Sequence, residues 1–152
     1  MHNQDKNPRV PAPEFPFHHQ LPLQMRFNDI DVLGHVNNNA YLSYMDLGKA
    51  AYFTAVMPDG FDIRNVGLVI VNLNCDYVAE SYMHEQLEVL TQTTTIGEKS
   101  LRMEQRVVNA TTGQVKCIAR TIMAGFDPKT RQSAPISDEW RNALSAFEQR
   151  QL

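Results

Sequence analysis

The chain of 152 residues is poor in cysteine, with Cys75 and Cys117 alone and no second pair. Neither a disulfide framework nor a cysteine-based zinc cluster can be built from them, so a reducing, cytoplasmic setting is the expectation. Long apolar runs are also missing. The longest, residues 66–71, falls far short of the roughly 18 residues that a bilayer-spanning helix needs. The opening MHNQDKNPRVPAPEFPF has no apolar h-region, so neither a secretory signal nor membrane insertion is expected. Excess positive charge is absent too: 14 Lys and Arg stand against 17 Asp and Glu. A pI near 5.9 gives nucleic acid no basic surface to bind.

What is present is ordinary for one globular domain: 43% hydrophobic and 20% charged residues. A chain of this length buries roughly 70% of its unfolded surface and needs no metal or disulfide to fold. Four of the eight prolines (Pro8, Pro11, Pro13, Pro16) crowd the start. They lack backbone donors, which predicts a flexible, extended Pro-rich arm over residues 1–17 and a single domain over 18–152.

Within 19–27, Leu21, Leu23, Met25 and Phe27 recur at every second position, the period of a half-buried strand. Asp, Gly and Asn then interrupt the pattern, and Asn37 stands where a helix N-cap would. From there to about Met57, Tyr41, Met45, Gly48, Tyr52 and Ala55 mark one helical face. Gly48 in mid-helix costs about 1 kcal/mol against alanine, which suggests a backbone approaching closely there. Pro58 and Gly60 are expected to end the helix.

Strand patterns follow over 66–77, 86–96, 100–108 and 114–126, with turns at 97–99 and 109–113. In the first of these, Val69, Val71, Leu73, Cys75 and Tyr77 fall on one face. Asp127-Pro128 stops the last strand, and Ser137 caps a short helix carrying Trp140, Leu144 and Phe147. Hairpin-length turns imply antiparallel pairing, hence an α+β fold. Five antiparallel strands can wrap around the one long helix, with the short helix at the C-terminus.

The chemistry concentrates in residues 24–46, QMRFNDIDVLGHVNNNAYLSYMD. Asp29 and Asp31 lie in a loop that leads into a helix N-terminus, with Gly34 to permit the turn. The first helical amides, near Asn38, lack intrahelical acceptors and sit at the positive end of the dipole. A carboxylate beside such amides has the parts for acyl transfer to water: one orients the nucleophile, the other steadies an oxyanion. For Asp29, alternation along the loop favours a turn or a salt bridge to Arg26. His35 could hold water or a substrate oxygen, or simply bond the loop backbone. A metal site at Asp29, Asp31 and His35 fails because no second His or Cys lies at ligand spacing. Asp46 and Lys49, at i and i+3, make a helix ion pair. His18, His19 and His84 are solitary and expected at the surface. Arg102, Arg106, Lys116 and Arg120 alternate on strands and carry no assigned role.

The string Arg26-x-x-Asp29-x-Asp31-x-x-Gly34-His35-Val36-x-Asn38-x-x-Tyr41-x-x-Tyr44-x-Asp46 resembles the hot-dog-fold acyl-CoA thioesterases of the 4-hydroxybenzoyl-CoA thioesterase type. Its Gly-His-Val-Asn-Asn version also resembles the catalytic half of plant acyl-ACP thioesterases. Those enzymes have an asparagine where Leu33 stands. The resemblance implies a hot-dog fold assembled as a homodimer or homotetramer, with sites at the subunit interface. It also implies hydrolysis of an acyl-CoA to free acid and CoA. Asp31 would then be nucleophile or general base, His35 would assist, and the amide at Asn38 would bind the thioester carbonyl. No cofactor is implied beyond the CoA carried by the substrate, and no CoA-binding residue is assigned. Two alternatives stay open: a non-catalytic acyl-thioester-binding module, and an enoyl-CoA hydratase or dehydratase. The latter relatives place Asp and His five apart in an Asp-x-Asn-Pro-x-His setting. Here Asp31 and His35 are four apart.

Overall fold

A computed structural model describes residues 6–57, 59 and 67–152. One long helix, α1 (Asn38–Val56), lies in the curve of an antiparallel sheet. The strands are β1 (His19–Pro22), β2 (Leu68–Tyr77), β3 (Leu87–Ile96), β4 (Ser100–Asn109) and β5 (Val115–Asp127). They run in the order β1-β3-β4-β5-β2, so the two strands nearest the chain start form the two edges. A two-residue strand, β6 (Gln132–Ser133), pairs with the end of β5, and α2 (Asp138–Glu148) closes the chain. This is the expected hot-dog fold with one addition. β6 has no alternating pattern to announce it, because two residues carry no period.

Asn37 is the N-cap of α1: its backbone is extended and its side chain accepts the Asn39 amide at 2.8 Å. The helix buries Tyr41, Tyr44, Met45, Gly48, Tyr52 and Phe53 against the sheet. Ala55 is exposed, because the 3.6-residue period carries the buried ridge on to Phe53 and Val56. At Gly48 the close neighbours are side chains rather than backbone. A Cβ there would stand 2.9 Å from both the Gln105 amide nitrogen and Val89 Cγ1. Gln105 in turn donates to Met45 O at 2.9 Å, so α1 is keyed directly onto β3 and β4. The expected terminators Pro58 and Gly60 lie outside the described residues.

The phase of β2 differs from its sequence pattern. Its register with β5 shifts between Ile70 and Asn72, so Val71 is an extra, bulged residue. A bulge reverses which side chains face which way, as a one-residue slip does. Leu68 and Ile70 therefore share the helix-facing side with Leu73, Cys75 and Tyr77, and Val69 does not. At the other edge, β1 ends at Pro22 rather than at Phe27. The chain then continues through a single bond, Leu23 N–H to Leu87 O at 2.9 Å, and a 3₁₀ turn at Phe27–Asp29.

The arm expected to be flexible is tethered over its described part. Arg106 donates to Pro11 O at 2.9 Å, Gln92 donates to Phe15 O at 3.2 Å, and Arg150 stacks 3.7 Å from the Phe15 ring. Proline segments carry free carbonyls, and the outer sheet face supplies the donors they need. His19 also departs from expectation: it packs edge-on against Tyr52, with ring centroids 5.6 Å apart. Burial lowers its pKa. Next to it, β3 runs beyond the start of β1, so Thr93 pairs with Met103 of β4 but has no partner on the β1 side. The end of α2 fills that place, with Thr93 N–H donating to Glu148 Oε1 at 2.9 Å and Arg150 donating to Thr93 O at 2.5 Å.

Candidate active site

The loop between the 3₁₀ turn and α1 is a small hairpin. Ile30 and Val36 form a bridge, Asp31 N–H donates to His35 O at 3.1 Å, and Gly34 N–H donates to Asp31 O at 3.0 Å. Gly34 has φ +84°, which a residue with a side chain adopts only with strain. Asp31 and His35 are thus neighbours across the hairpin. One oxygen of Asp31, Oδ1, accepts Leu33 N–H at 2.9 Å. The carboxylate is half-buried, and among the described residues Oδ2 has no partner. The His35 imidazole, also half-buried, makes no hydrogen bond among them either. The loop is bonded through the His35 carbonyl, which leaves the ring free.

Asn38 opens the helix that this hairpin leads into. The Asn37 side chain takes the Asn39 amide, and Asn37 O takes the Ala40 amide at 3.0 Å. Among the described residues nothing accepts from the Asn38 N–H. The cap therefore satisfies its neighbours and leaves one outward donor at the positive end of a 19-residue helix. The Asn38 carbonyl accepts from the Tyr77 hydroxyl on β2 at 3.4 Å.

Asp29 has a different role from Asp31, as its position in the loop suggests. It is only 4% exposed. It accepts from Arg26 N–H at 2.9 Å, from the Arg26 guanidinium at 3.0 Å and from the Tyr44 hydroxyl at 2.8 Å. Its carbonyl accepts Asn37 N–H at 2.8 Å, tying the loop base to the helix cap. Burial alone would raise its pKa. The bonds from the Arg26 amide, Tyr44 and the Arg26 side chain outweigh that and hold the carboxyl below its usual range. A lowered folded pKa stabilises above the unfolded value and is lost as pH falls through the folded one. Asp29→Asn is expected to cost about 1–2 kcal/mol of stability at pH 7, since Arg26 is mostly exposed and the Tyr44 bond weakens without vanishing. Urea titrations should show the gap from the parent protein narrowing below about pH 4. A gap that persists at pH 2.5 contradicts this role.

Other residues hold the loop from a distance. Ser81 O accepts Val36 N–H at 2.9 Å, and Ser81 Oγ accepts the Tyr41 hydroxyl at 2.8 Å. The segment carrying Ser81 is anchored by Lys116, whose ammonium donates to Glu80 O, Glu85 Oε1 and Gln114 Oε1, each at 2.8 Å. Lys116 is 2% exposed. Burial alone would raise the Glu85 pKa, and the bonds from Lys116, Tyr82 N–H and Asn109 together with the Lys116 charge outweigh it and lower it. No spacing in the sequence points to Ser81 or Lys116, since both act on residues far away along the chain. Arg106 is likewise occupied, by Glu104 and Pro11, while Arg120 pairs with Asp76 and Glu104. Arg102 is exposed. Lys49 and Asp46 pair at 2.9 Å, as their spacing predicts.

An open cleft of about 750 Å³ runs between β1 and α1, walled by Leu21, Leu23, Tyr44, Leu47 and Ala50 with Arg26 at its edge. Asp31, His35 and Asn38 do not line it. They stand at the surface beside Val32, which is fully exposed, and Leu33, which is largely so.

Comparison with known proteins agrees with this architecture. The family model described as the thioesterase-like superfamily matches residues 25–144. The long-chain acyl-CoA thioesterase FadM of Escherichia coli is 27% identical over 128 residues, covering 82% of this chain and 96% of FadM. A 1,4-dihydroxy-2-naphthoyl-CoA hydrolase from Synechococcus elongatus is 26% identical over 133 residues, covering 83% of this chain and 94% of that protein. A crystal structure of a Thermus thermophilus thioesterase complexed with coenzyme A and zinc superposes with a TM-score of 0.79 at 29% identity. That match covers 90% of this chain and 98% of the other. A family match over most of the sequence, on a sheet wrapped around one long helix, leaves one assignment: the chain belongs to the thioesterase-like superfamily and has the hot-dog fold.

Proposed function

We propose that this protein is an acyl-CoA thioesterase, working with the active-site arrangement of the 4-hydroxybenzoyl-CoA thioesterase type. The observation that carries the reading is the unclaimed Asn38 N–H at the helix start, on the same short loop as a half-buried carboxylate with a free oxygen. The thioester carbonyl docks on that amide, which is already aimed and needs no reorganisation as charge develops on the oxygen. Asp31 then either attacks the carbonyl carbon or takes a proton from the water that does. His35, with a free ring beside Asp31, assists by holding water. The carbon–sulfur bond breaks, and CoA leaves as a thiolate, a good leaving group because thiols ionise near pH 8.5. Water supplies the hydroxyl of the acid and the proton of the thiol, so no cofactor or metal is required.

A second copy of the chain completes the site in this reading. β2 is a sheet edge with a neighbour on one side only, yet it exposes Ile70, Val71 and Tyr77. Long apolar edges pair with another chain unless blocked. Val32 and Leu33, exposed beside Asp31, then gain a covering surface. Sedimentation is expected to give a dimer or tetramer of the 17.3 kDa chain, and a monomer at micromolar concentration contradicts the shared site.

A panel of octanoyl-, palmitoyl- and aromatic acyl-CoA substrates, followed by thiol release, tests the activity. Release that depends on Asp31 supports the hydrolase. Loss of enoyl-CoA absorbance without thiol release selects a hydratase. Tight binding with no turnover of any member selects a binding module.

A further inference from the structure

The mechanism above uses neither cysteine, yet the two sulfur atoms lie 3.1 Å apart. Cys75 on β2 pairs with Ala119 on β5, and Tyr77 pairs with Cys117, so the cysteines are diagonal neighbours on the helix-facing side. Cys75 is half-buried, and Cys117 has no exposed surface. The Tyr77 hydroxyl bonds to the Asn38 carbonyl, and its ring packs 5.6 Å from Tyr41 in the first turn of α1. The sulfur pair therefore lies two residues along β2 from a side chain that touches the proposed oxyanion site.

We propose that Cys75 and Cys117 are a peroxide-sensitive dithiol whose closure to a disulfide slows hydrolysis at the adjoining helix start. The effect on turnover rests on the thioesterase reading, whereas formation of the bond does not. The roles of the two sulfurs differ. A hydrogen bond from Cys117 lowers the Cys75 pKa to about 7, against the effect of burial and with help from Tyr77. The Cys117 pKa is pushed up by that same bond and by burial. Cys75 is thus the thiolate that meets the oxidant. Its sulfur attacks one oxygen of a hydroperoxide, the O–O bond breaks, and hydroxide or alkoxide leaves, taking up a proton to become water or an alcohol. Cys75 is then a sulfenic acid. The Cys117 sulfur attacks that sulfenic sulfur, the S–O bond breaks, and the Cys117 proton leaves with the hydroxyl as water. The two thiols have given up two electrons to the peroxide.

Closure has a mechanical consequence. Diagonal partners across antiparallel strands sit about 7–8 Å apart at Cα, whereas disulfides span about 4.4–6.8 Å. The bond draws β2 toward β5. β2 is the strand that yields, because it is held on one side only. Tyr77 moves with it, and displacing a positioning contact by about 1 Å can lower turnover by up to about 100-fold.

The test is a titration of the full-length protein with hydrogen peroxide, read by intact mass, free-thiol count in denaturant and thiol release from a good acyl-CoA substrate. The expected result is the loss of two hydrogens and both thiols per chain, a monomer band on a non-reducing gel, and turnover reduced about tenfold. Dithiothreitol restores the mass, the free thiols and the turnover. In Cys117→Ser, Cys75 should stop at a dimedone-trappable sulfenic acid, and Cys75→Ser should be unreactive. Persistent free thiols, direct over-oxidation to the sulfinic acid, or cross-linking between chains overturns the dithiol. A bond that forms without changing turnover overturns the regulation. If the reduced protein hydrolyses no thioester, the thioesterase reading fails with the regulation, while the mass and thiol counts still decide the dithiol.

Discussion

Asp31→Asn is expected to lower kcat for acyl-CoA hydrolysis by about 10²–10⁴-fold while leaving the protein folded. The separation of the two effects follows from the hydrogen bonds at this position. Among the described residues the Asp31 side chain makes one bond, to Leu33 N–H, and an asparagine oxygen can also accept that bond. What the substitution removes is the negative charge on the free oxygen, and with it both proposed roles, nucleophile and base. The thermal midpoint should stay within a few degrees of the parent's, because a half-buried loop charge with no ion-pair partner among the described residues contributes about 1 kcal/mol or less. Hydrolysis that survives the change at more than a tenth of the parental rate contradicts the assignment. Asp29→Asn supplies the contrast, since it loses stability first.

Asn38→Pro is expected to cost about 10²–10³-fold in kcat, through the loss of the backbone N–H donor. Proline in a helix ordinarily disrupts folding, but this position tolerates it. Asn38 is the first residue of α1, where proline is favoured because its missing N–H has no intrahelical acceptor to lose. Asn37 stands at φ −66° and ψ 146°, the region that a residue before proline prefers. The Asn38 side chain is exposed, so little packing is lost. Asn38→Ala keeps the amide and should retain nearly full turnover. Equal losses in the proline and alanine variants would assign the effect to the side chain and remove the backbone donor from the mechanism.

The candidate site could be proposed from the sequence because its parts are close together there. Asp31, His35 and Asn38 fall within eight residues, where turn chemistry, a glycine and a helix cap all act locally. The structural duty of Asp29, bonded to Arg26, was legible for the same reason, through alternation along the loop. The long helix and the four later strands announced themselves by period. Features decided by long-range pairing were not visible. The bulge at Val71 reverses the phase of β2 without any glycine or proline to mark it. Thr93 finds its partner 55 residues away at Glu148, and Lys116 buries its charge against a loop some 30 residues upstream. Gly48 suggested a close approach, but a sequence could not say that Val89 and Gln105 make it. The proline-rich arm has the composition of a free segment; Arg106, Gln92 and Arg150 tether it from far along the chain, Gln92 lying 77 residues beyond its partner Phe15 and Arg106 95 beyond Pro11.

The most direct test is a structure of the protein with an acyl-CoA ketone analogue, in which a methylene replaces the thioester sulfur. The ketone oxygen is expected about 2.7–3.1 Å from the Asn38 nitrogen, with the Asp31 carboxylate facing the carbonyl carbon, directly or across one water. A ketone bound elsewhere, with the Asn38 amide turned to solvent and Asp31 out of reach of the carbonyl, would contradict the proposed mechanism.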